Sequence, residues 1–201
     1  MMEPLLRAEL QKKGRVDITF DRLQPLQDAT GYFPDGGWTR VLAWCLENSG
    51  DAFDDVLEPL LDNIPRLDGI VIHLDGDAAE HLGQHTQVAL PAPLTVLSRV
   101  NFLTDVIEEW LRLSAAQRSR LIVAAPVLHT EAWINAAHSQ GSHESVDAKA
   151  AFRATRSTTS HPKRASHYEE AGGLAAENLQ QIAGRCVSYR LFQQEIISSS
   201  I

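Results

Sequence analysis

The sequence predicts an α/β fold, with a mostly parallel central sheet flanked by helices and with further helices in the C-terminal part of the chain. Two short runs, residues 69–74 and 120–125, are almost entirely apolar and contain several β-branched side chains. Strands of this composition are typically buried on both faces, as in parallel sheets that helices cover. The segments around both runs repeat apolar residues at helical spacing, so we expect strands and helices to alternate.

The other elements follow from local patterns. Leu5, Leu6 and Leu10 share one face of a predicted first helix, and Gly14 follows as its C-cap. Residues 16–20 (VDITF) alternate and are partly β-branched, which predicts a strand. Helices are predicted over residues 3–13, 38–48, 52–62, 100–113, 130–138, 165–183 and 187–197, with Thr130 as an N-cap, and irregular structure is predicted over 21–37 and 84–99.

The chain is expected to form one domain with appended segments. Residues 1–140 make the predicted α/β domain, which is long enough to bury a sizeable core. Residues 141–164 are polar, small and basic, which predicts a loop, or a solvated helix and loop, that is disordered in part. Residues 165–201 are predicted to form helices that pack on the same domain.

Composition narrows the class of protein. The 201 residues carry a formal net charge of -8 at pH 7, which disfavours a generic nucleic-acid binder because such proteins need surplus Lys and Arg. A nuclease is not excluded, since a bound divalent ion offsets acidic side chains locally. No apolar run reaches the length of a membrane span, and the charged N-terminal stretch is unlike a signal peptide. We therefore expect a cytoplasmic protein in which Cys45 and Cys186 are reduced and largely buried.

The residues of greatest chemical interest follow the two apolar strands. Asp75 and Asp77 come directly after the first, and His129 and Glu131 come shortly after the second. In open α/β sheets, ligands collect at the carboxyl ends of the strands, so this coincidence indicates a site. Two carboxylates separated by Gly76 can converge on a hard cation such as Mg²⁺.

Each pair also has a structural interpretation. Asp and Gly are common turn formers after any strand, so Asp75 and Asp77 are also explained by a simple turn. A glutamate in the first turn of a helix complements the helix dipole, which explains Glu131 without chemistry, with His129 as a surface neighbour. The local sequence leaves both interpretations open.

Taken as an ordered set, several segments are familiar. The segment LDGIVIHLDGDAAE resembles the DxD motif of the TOPRIM superfamily, which includes topoisomerases, primases and OLD-type nucleases. More narrowly, MEPLLRAELQKKG, PDGGWTRVL, IVIHLDGD and VAAPVLHTEAWINAA, in this order, resemble a bacterial TOPRIM-like family of unknown function that is related to phage-defence proteins. The C-terminal helices resemble the closing helices of that family, so the likeness covers most of the chain.

The resemblance implies a TOPRIM-like layered fold and a metal-dependent activity on nucleic-acid phosphodiesters. Asp75 and Asp77 would be ligands of Mg²⁺ or Mn²⁺, and Glu131 would be a catalytic acidic residue beside them. The same family resemblance implies a role in phage defence with an ATPase as partner protein.

The chain departs from the family pattern at its start. Members of the family open with an apolar strand that ends in Glu-Gly, whereas this sequence begins within the helix that follows. The expectation is therefore that the first strand and its glutamate are lacking. The alternative function is a catalytically degenerate, non-enzymatic module of the same fold that docks a partner protein.

Overall fold

The structure is a computed structural model, and it describes residues 2–21, 23, 37–58, 66–139, 143–144, 148–155 and 165–201. The described part of the chain is mixed α/β and mostly helical. The helices are α1 (Met2–Lys12), α2 (Trp38–Glu47), α3 (Ala52–Leu57), α4 (Ala79–Leu82), α5 (Val96–Leu111), α6 (Ala115–Arg118), α7 (Glu131–His138), α8 (Ala148–Thr155), α9 (Ala165–Ala176), α10 (Leu179–Arg185) and α11 (Val187–Ser198); the strands are β1 (Ile70–His73) and β2 (Leu121–Ala124).

The two strands predicted from the apolar runs are confirmed, and they pair with each other. They run parallel, with Ile70 opposite Leu121 and His73 opposite Ala124. Within the described residues the sheet has only these two strands. Their parallel pairing brings the carboxyl ends of β1 and β2 to the same edge, where the chemically interesting residues follow.

Both faces of the sheet are covered, as the apolar composition of the strands predicted. Leu121 and Val123 pack into a core with Ile70, Ile72 and residues of α2, α3 and α5. Ile122 and Ala124 point the other way, into a second core formed with α1, α7, α9, α10 and α11. Burying the side chain of a Leu, Ile or Val stabilises the fold by about 1.5–3 kcal/mol. The buried strand β2 therefore fixes the position at which the following loop begins.

The predicted strand over residues 16–20 is wrong. Asp17 adopts a positive φ of 55°, which a continuing strand does not allow. Val16 remains 80% exposed. The segment instead lies on α1, where the Arg7 guanidinium donates a hydrogen bond to the Ile18 carbonyl and stacks 4.9 Å from the centre of the Phe20 ring. Alternation in the sequence did not reveal that these contacts replace strand pairing.

Several helix boundaries differ from those predicted. Helix α5 starts at Val96 rather than residue 100, because Thr95 and Ser98 cap it reciprocally. The helix predicted over 165–183 is two helices, α9 and α10, separated at residues 177–178. The helix predicted over 52–62 is observed as α3, and residues 59–65 lie outside the described residues. Most of the predicted loop over 21–37 is likewise outside them.

Part of the polar segment 141–164 is ordered against the second core. Helix α8 lies within it. The buried carboxylate of Glu144 accepts hydrogen bonds from the backbone N–H groups of Val187 at 2.7 Å and Ser188 at 2.8 Å. These N–H groups belong to the first turn of α11 and have no partner within the helix. Glu144, which is remote in sequence, therefore caps the N-terminus of α11.

The two cysteines are buried and free, as predicted. Burial raises the pKa of the Cys45 thiol to about 12. The pKa of Cys186 also rises to about 12, mainly through burial and further through the negative charge of Glu144. Both thiols are therefore protonated and unreactive at neutral pH. No helix in the described part of the chain combines the length and the apolar character that crossing a lipid bilayer requires.

The end of α11 is held by a lysine from the turn after α1. Lys13 Nζ donates hydrogen bonds to the carbonyls of Ile196 at 3.0 Å and Ser199 at 2.6 Å. Replacing Lys13 by methionine keeps the stem but removes this cap, and we expect the free energy of unfolding to fall by about 1 kcal/mol in urea denaturation. Lys12→Met is the matched control, because Lys12 is exposed and lies 3.7 Å from Glu9; its loss should be about 0.3 kcal/mol. Equal losses would contradict the capping role.

Candidate metal centre

The turn after β1 places two carboxylates at the edge of the sheet. Asp75 continues the extended backbone of the strand, and a 3-10 turn over Gly76–Ala78 carries Asp77. The backbone N–H of Asp77 donates a hydrogen bond to the Leu128 carbonyl in the loop after β2, at 3.3 Å. The two loops at this edge are therefore joined directly through the backbone.

Gly76 makes that close approach possible. A Cβ atom at this position would lie 1.8 Å from the carbonyl oxygen of Val127 and 2.5 Å from that of Pro126. Both obstructing atoms are backbone, so neither can swing aside as a side chain would. The glycine of the Asp-Gly-Asp sequence is required by packing between the two loops, beyond any preference for a turn.

An arginine from α5 holds the turn from its other side. Arg99 Nη1 donates a 2.8 Å hydrogen bond to the Gly76 carbonyl, and the guanidinium makes a two-pronged pair with Glu80 at 2.9 and 2.8 Å. The hydrogen bond from Arg99 lowers the pKa of the Glu80 carboxyl, outweighing the opposite effect of burial. The turn that carries Asp75 and Asp77 is thus braced before any ligand binds.

Asp75, Asp77 and His129 converge at this edge. His129 Nδ1 lies 3.4 Å from Asp77 Oδ2 and 3.8 Å from Asp75 Oδ2. One ligand atom from each of the three residues lies within 4.8 Å of the others. The side-chain exposure rises from 16% for His129 through 32% for Asp75 to 52% for Asp77. The cluster is therefore closed on the imidazole side and open to solvent on the Asp77 side.

His129 Nδ1 is a buried polar atom without a hydrogen-bond partner among the described residues. Its distances to the two carboxylates exceed those of ordinary N–H···O bonds. Buried polar side-chain atoms usually have a partner, and an exception indicates a water, an ion or a functional role. A cation between this nitrogen and the two carboxylates would satisfy all three groups.

Asp75 is oriented by a small network that the sequence did not reveal. The backbone N–H and the hydroxyl of Thr130 both donate to Asp75 Oδ1, at 3.2 and 3.0 Å. His73 Nε2 lies 2.6 Å from the Thr130 hydroxyl oxygen and 3.5 Å from Asp75 Oδ1. Thr130 is the N-cap residue of α7, as predicted, but its hydroxyl makes no capping hydrogen bond and donates to Asp75 instead.

The electrostatic surroundings keep Asp75 ionised. Burial raises the pKa of its carboxyl, but the opposing effects, chiefly the hydrogen bond and charge of His73 and the hydrogen bond of Thr130, lower it below the ordinary value. Because a carboxylate must be deprotonated to bind a cation, Asp75 is ready to act as a ligand at neutral pH.

Glu131, the third residue predicted for the site, is the first residue of α7 and is buried at 5% exposure. It is not one of the three residues whose ligand atoms converge. Its place at the helix start suits the helix dipole, and its catalytic role stays a prediction. The signal for His129 was present in the sequence, since it follows β2, but nothing local distinguished it from a surface histidine.

The donor set of two carboxylate oxygens and one imidazole nitrogen fits a divalent cation. Comparisons of the chain with protein-family models, with curated protein sequences and with solved structures found no match. The resemblance to TOPRIM-like proteins therefore stays a prediction from sequence motifs.

Proposed function

We propose that this protein is a divalent-metal-dependent enzyme that hydrolyses the phosphodiester bonds of nucleic acids. The observation that carries the proposal is the convergence of Asp75, Asp77 and the unpartnered nitrogen of His129 at the carboxyl edge of the two parallel strands. Ligand and catalytic sites of α/β proteins recur at this edge.

The proposed ion is Mg²⁺ or Mn²⁺, held by Asp75 and Asp77. Such an ion supplies positive charge that polarises a phosphate and stabilises a leaving oxygen. Two features of the protein support this chemistry. The turn is braced by Arg99 and by contact with the loop after β2, so the carboxylates are held in place before binding. The half-exposed Asp77 leaves an opening through which a large substrate can reach the site.

The charge distribution is compatible with a polyanionic substrate. The acidic residues of the site repel phosphate when bare, and a bound cation reverses that local charge. The basic residues of the sequence between positions 149 and 164 supply charges of the kind that contact a phosphate backbone. In this proposal Glu131 assists the chemistry, and the fold is of the TOPRIM-like layered type.

The proposed biological setting is phage defence together with an ATPase partner protein, and it is supported by the motif resemblance alone. Co-purification of the chain with an ATPase from its native cells is the direct check of that partner.

Cleavage of labelled nucleic acids tests the activity. Metal-free protein is incubated with single-stranded and duplex DNA and RNA, with Mg²⁺, with Mn²⁺ or with a chelator. We expect cleavage with an ion and none with the chelator, and a loss of at least about 100-fold in the Asp75→Asn/Asp77→Asn double variant. Asp55→Asn is the matched control, since Asp55 is an exposed acid on α3 and is not one of the residues whose ligand atoms converge.

The result that overturns the proposal is equally definite. Absence of cleavage with either ion on every substrate would refute the enzymatic function. So would activity that is the same in the double variant as in wild type, because it would come from a contaminant or another site.

A further inference from the structure

We infer that His129 is a direct ligand through Nδ1, and that the centre therefore selects a transition-metal ion such as Mn²⁺, Co²⁺ or Zn²⁺ over Mg²⁺. The inference deepens the proposed function and rests on its divalent centre, although it is independent of which substrate is cleaved. The sequence predicted carboxylate ligands alone, for Mg²⁺ or Mn²⁺, with no nitrogen ligand.

The nitrogen Nδ1 of His129 is suited to bind a metal ion. Nδ1 of His129 is buried, has no hydrogen-bond partner among the described residues, and lies 3.8 Å from Asp75 Oδ2 and 3.4 Å from Asp77 Oδ2. A neutral imidazole with its proton on Nε2 presents a lone pair at Nδ1, which is the group a metal ion binds. Leaving such an atom buried and unsatisfied costs free energy that coordination would recover.

The chemistry of the donors sets which ion the site prefers. Mg²⁺ prefers oxygen ligands in near-ideal octahedral geometry and gives up its waters reluctantly. An imidazole nitrogen binds Mn²⁺, Co²⁺ and Zn²⁺ more strongly than Mg²⁺, and affinity for nitrogen-containing sites rises from Mn²⁺ to Co²⁺. A site of one nitrogen and two carboxylate oxygens is therefore selective in a way that two carboxylates alone are not.

Thr130 orients Asp75 and is therefore a positioning residue for the metal centre. Its backbone N–H and hydroxyl both hold Oδ1 of Asp75, while Oδ2 is the oxygen that faces His129. The hydroxyl is itself fixed by His73 at 2.6 Å. Because Thr130 directly follows His129 in the chain, one short segment both provides the nitrogen ligand and sets which carboxylate oxygen meets the ion.

The alternative is that His129 is a protonated partner of the two carboxylates with no ion between them. An imidazolium would donate from Nδ1 to one aspartate, yet both distances are long for such a bond. The two arrangements predict opposite behaviour, since a histidine that serves only as a counter-charge competes with a cation for the same carboxylates.

Calorimetric titration of the metal-free, full-length protein with Mn²⁺ and with Mg²⁺ tests the inference. We expect wild type to bind Mn²⁺ at least about 10-fold more tightly than Mg²⁺, and His129→Ala to bind both ions weakly and without this preference. His138→Ala is the matched control, because His138 is an exposed histidine at the end of α7. It should leave both affinities unchanged.

Pulsed electron paramagnetic resonance of bound Mn²⁺ gives a readout that does not depend on activity. Wild type should show hyperfine coupling to a directly bound nitrogen, and His129→Ala should lose it.

The Thr130→Val variant keeps the side-chain shape without the hydroxyl and should weaken Mn²⁺ binding by about 10- to 100-fold. Thr130→Ser should restore it, while the nitrogen coupling persists in both variants.

The outcomes separate this inference from the proposed function. Equal affinity of wild type for Mg²⁺ and Mn²⁺, with no nitrogen coupling, would overturn the inference while leaving a metal-dependent nuclease intact. Tighter metal binding in His129→Ala would also overturn it, because the histidine would then be a competing charge. Selective, nitrogen-coupled Mn²⁺ binding in a protein that cleaves no nucleic acid would uphold the inference and refute the proposed activity.

Discussion

Replacing Asp75 by asparagine is expected to raise the dissociation constant for divalent ions at least about 100-fold above that of wild type. The amide retains an oxygen that can accept the hydrogen bonds from Thr130, so the fold around the residue is preserved. What is lost is the charge of the oxygen that faces His129, in the most enclosed carboxylate of the cluster. Neutralising Asp75 should therefore weaken cation binding more than neutralising the more exposed Asp77.

Two measurements check this prediction. Calorimetry gives the affinities directly, and thermal unfolding gives them through linkage, since an ion at about 100 times its dissociation constant stabilises the native state by about 2.7 kcal/mol. Wild type should show this ion-dependent rise in melting temperature, and Asp75→Asn should not. Asp55→Asn should behave as wild type. A rise of the same size in Asp75→Asn would show that any bound ion lies elsewhere.

Replacing Gly76 by alanine is expected to lower the free energy of unfolding by about 3–5 kcal/mol, the range of severe point substitutions. The added Cβ would lie 1.8 Å from the Val127 carbonyl oxygen, so the turn and the loop after β2 must separate. That separation also weakens the hydrogen bond from Asp77 to Leu128 and moves both aspartates away from His129. Ion binding should therefore fall together with stability.

Gly83→Ala is the matched control for this substitution. Gly83 ends α4, seven residues further along the chain, with an ordinary helical φ of -56°, and a Cβ there meets no atom within 4 Å. Its free energy of unfolding should stay within about 0.5 kcal/mol of wild type or rise slightly. Urea denaturation of both variants decides the matter. An unchanged midpoint for Gly76→Ala would mean that the two loops do not approach as closely as the structure has them.

The success of the sequence predictions depended on how local each signal was. Strand β2 was predictable because burial on both faces requires consecutive apolar residues, and all four of its residues are apolar and buried. Strand β1 was predictable from the apolar run Ile70, Val71 and Ile72, which ends at the exposed His73. The helical face of α5 was predictable for the same reason, and Val100, Leu103 and Ile107 are buried as expected. The strand expected over residues 16–20 failed because its alternation is local, whereas pairing requires a partner and a backbone that stays extended.

The candidate site was likewise predictable only in part. By itself the sequence determined that Asp75 and Asp77 follow a buried strand, and that His129 follows another. Only the tertiary structure decided that a parallel pairing joins these strand ends, that Gly76 lets the loops touch, and that Thr130 turns one oxygen of Asp75 toward the imidazole. The physical reason is that ligand geometry depends on contacts between residues more than 50 positions apart in the chain, and local patterns of hydrophobicity carry no record of such contacts.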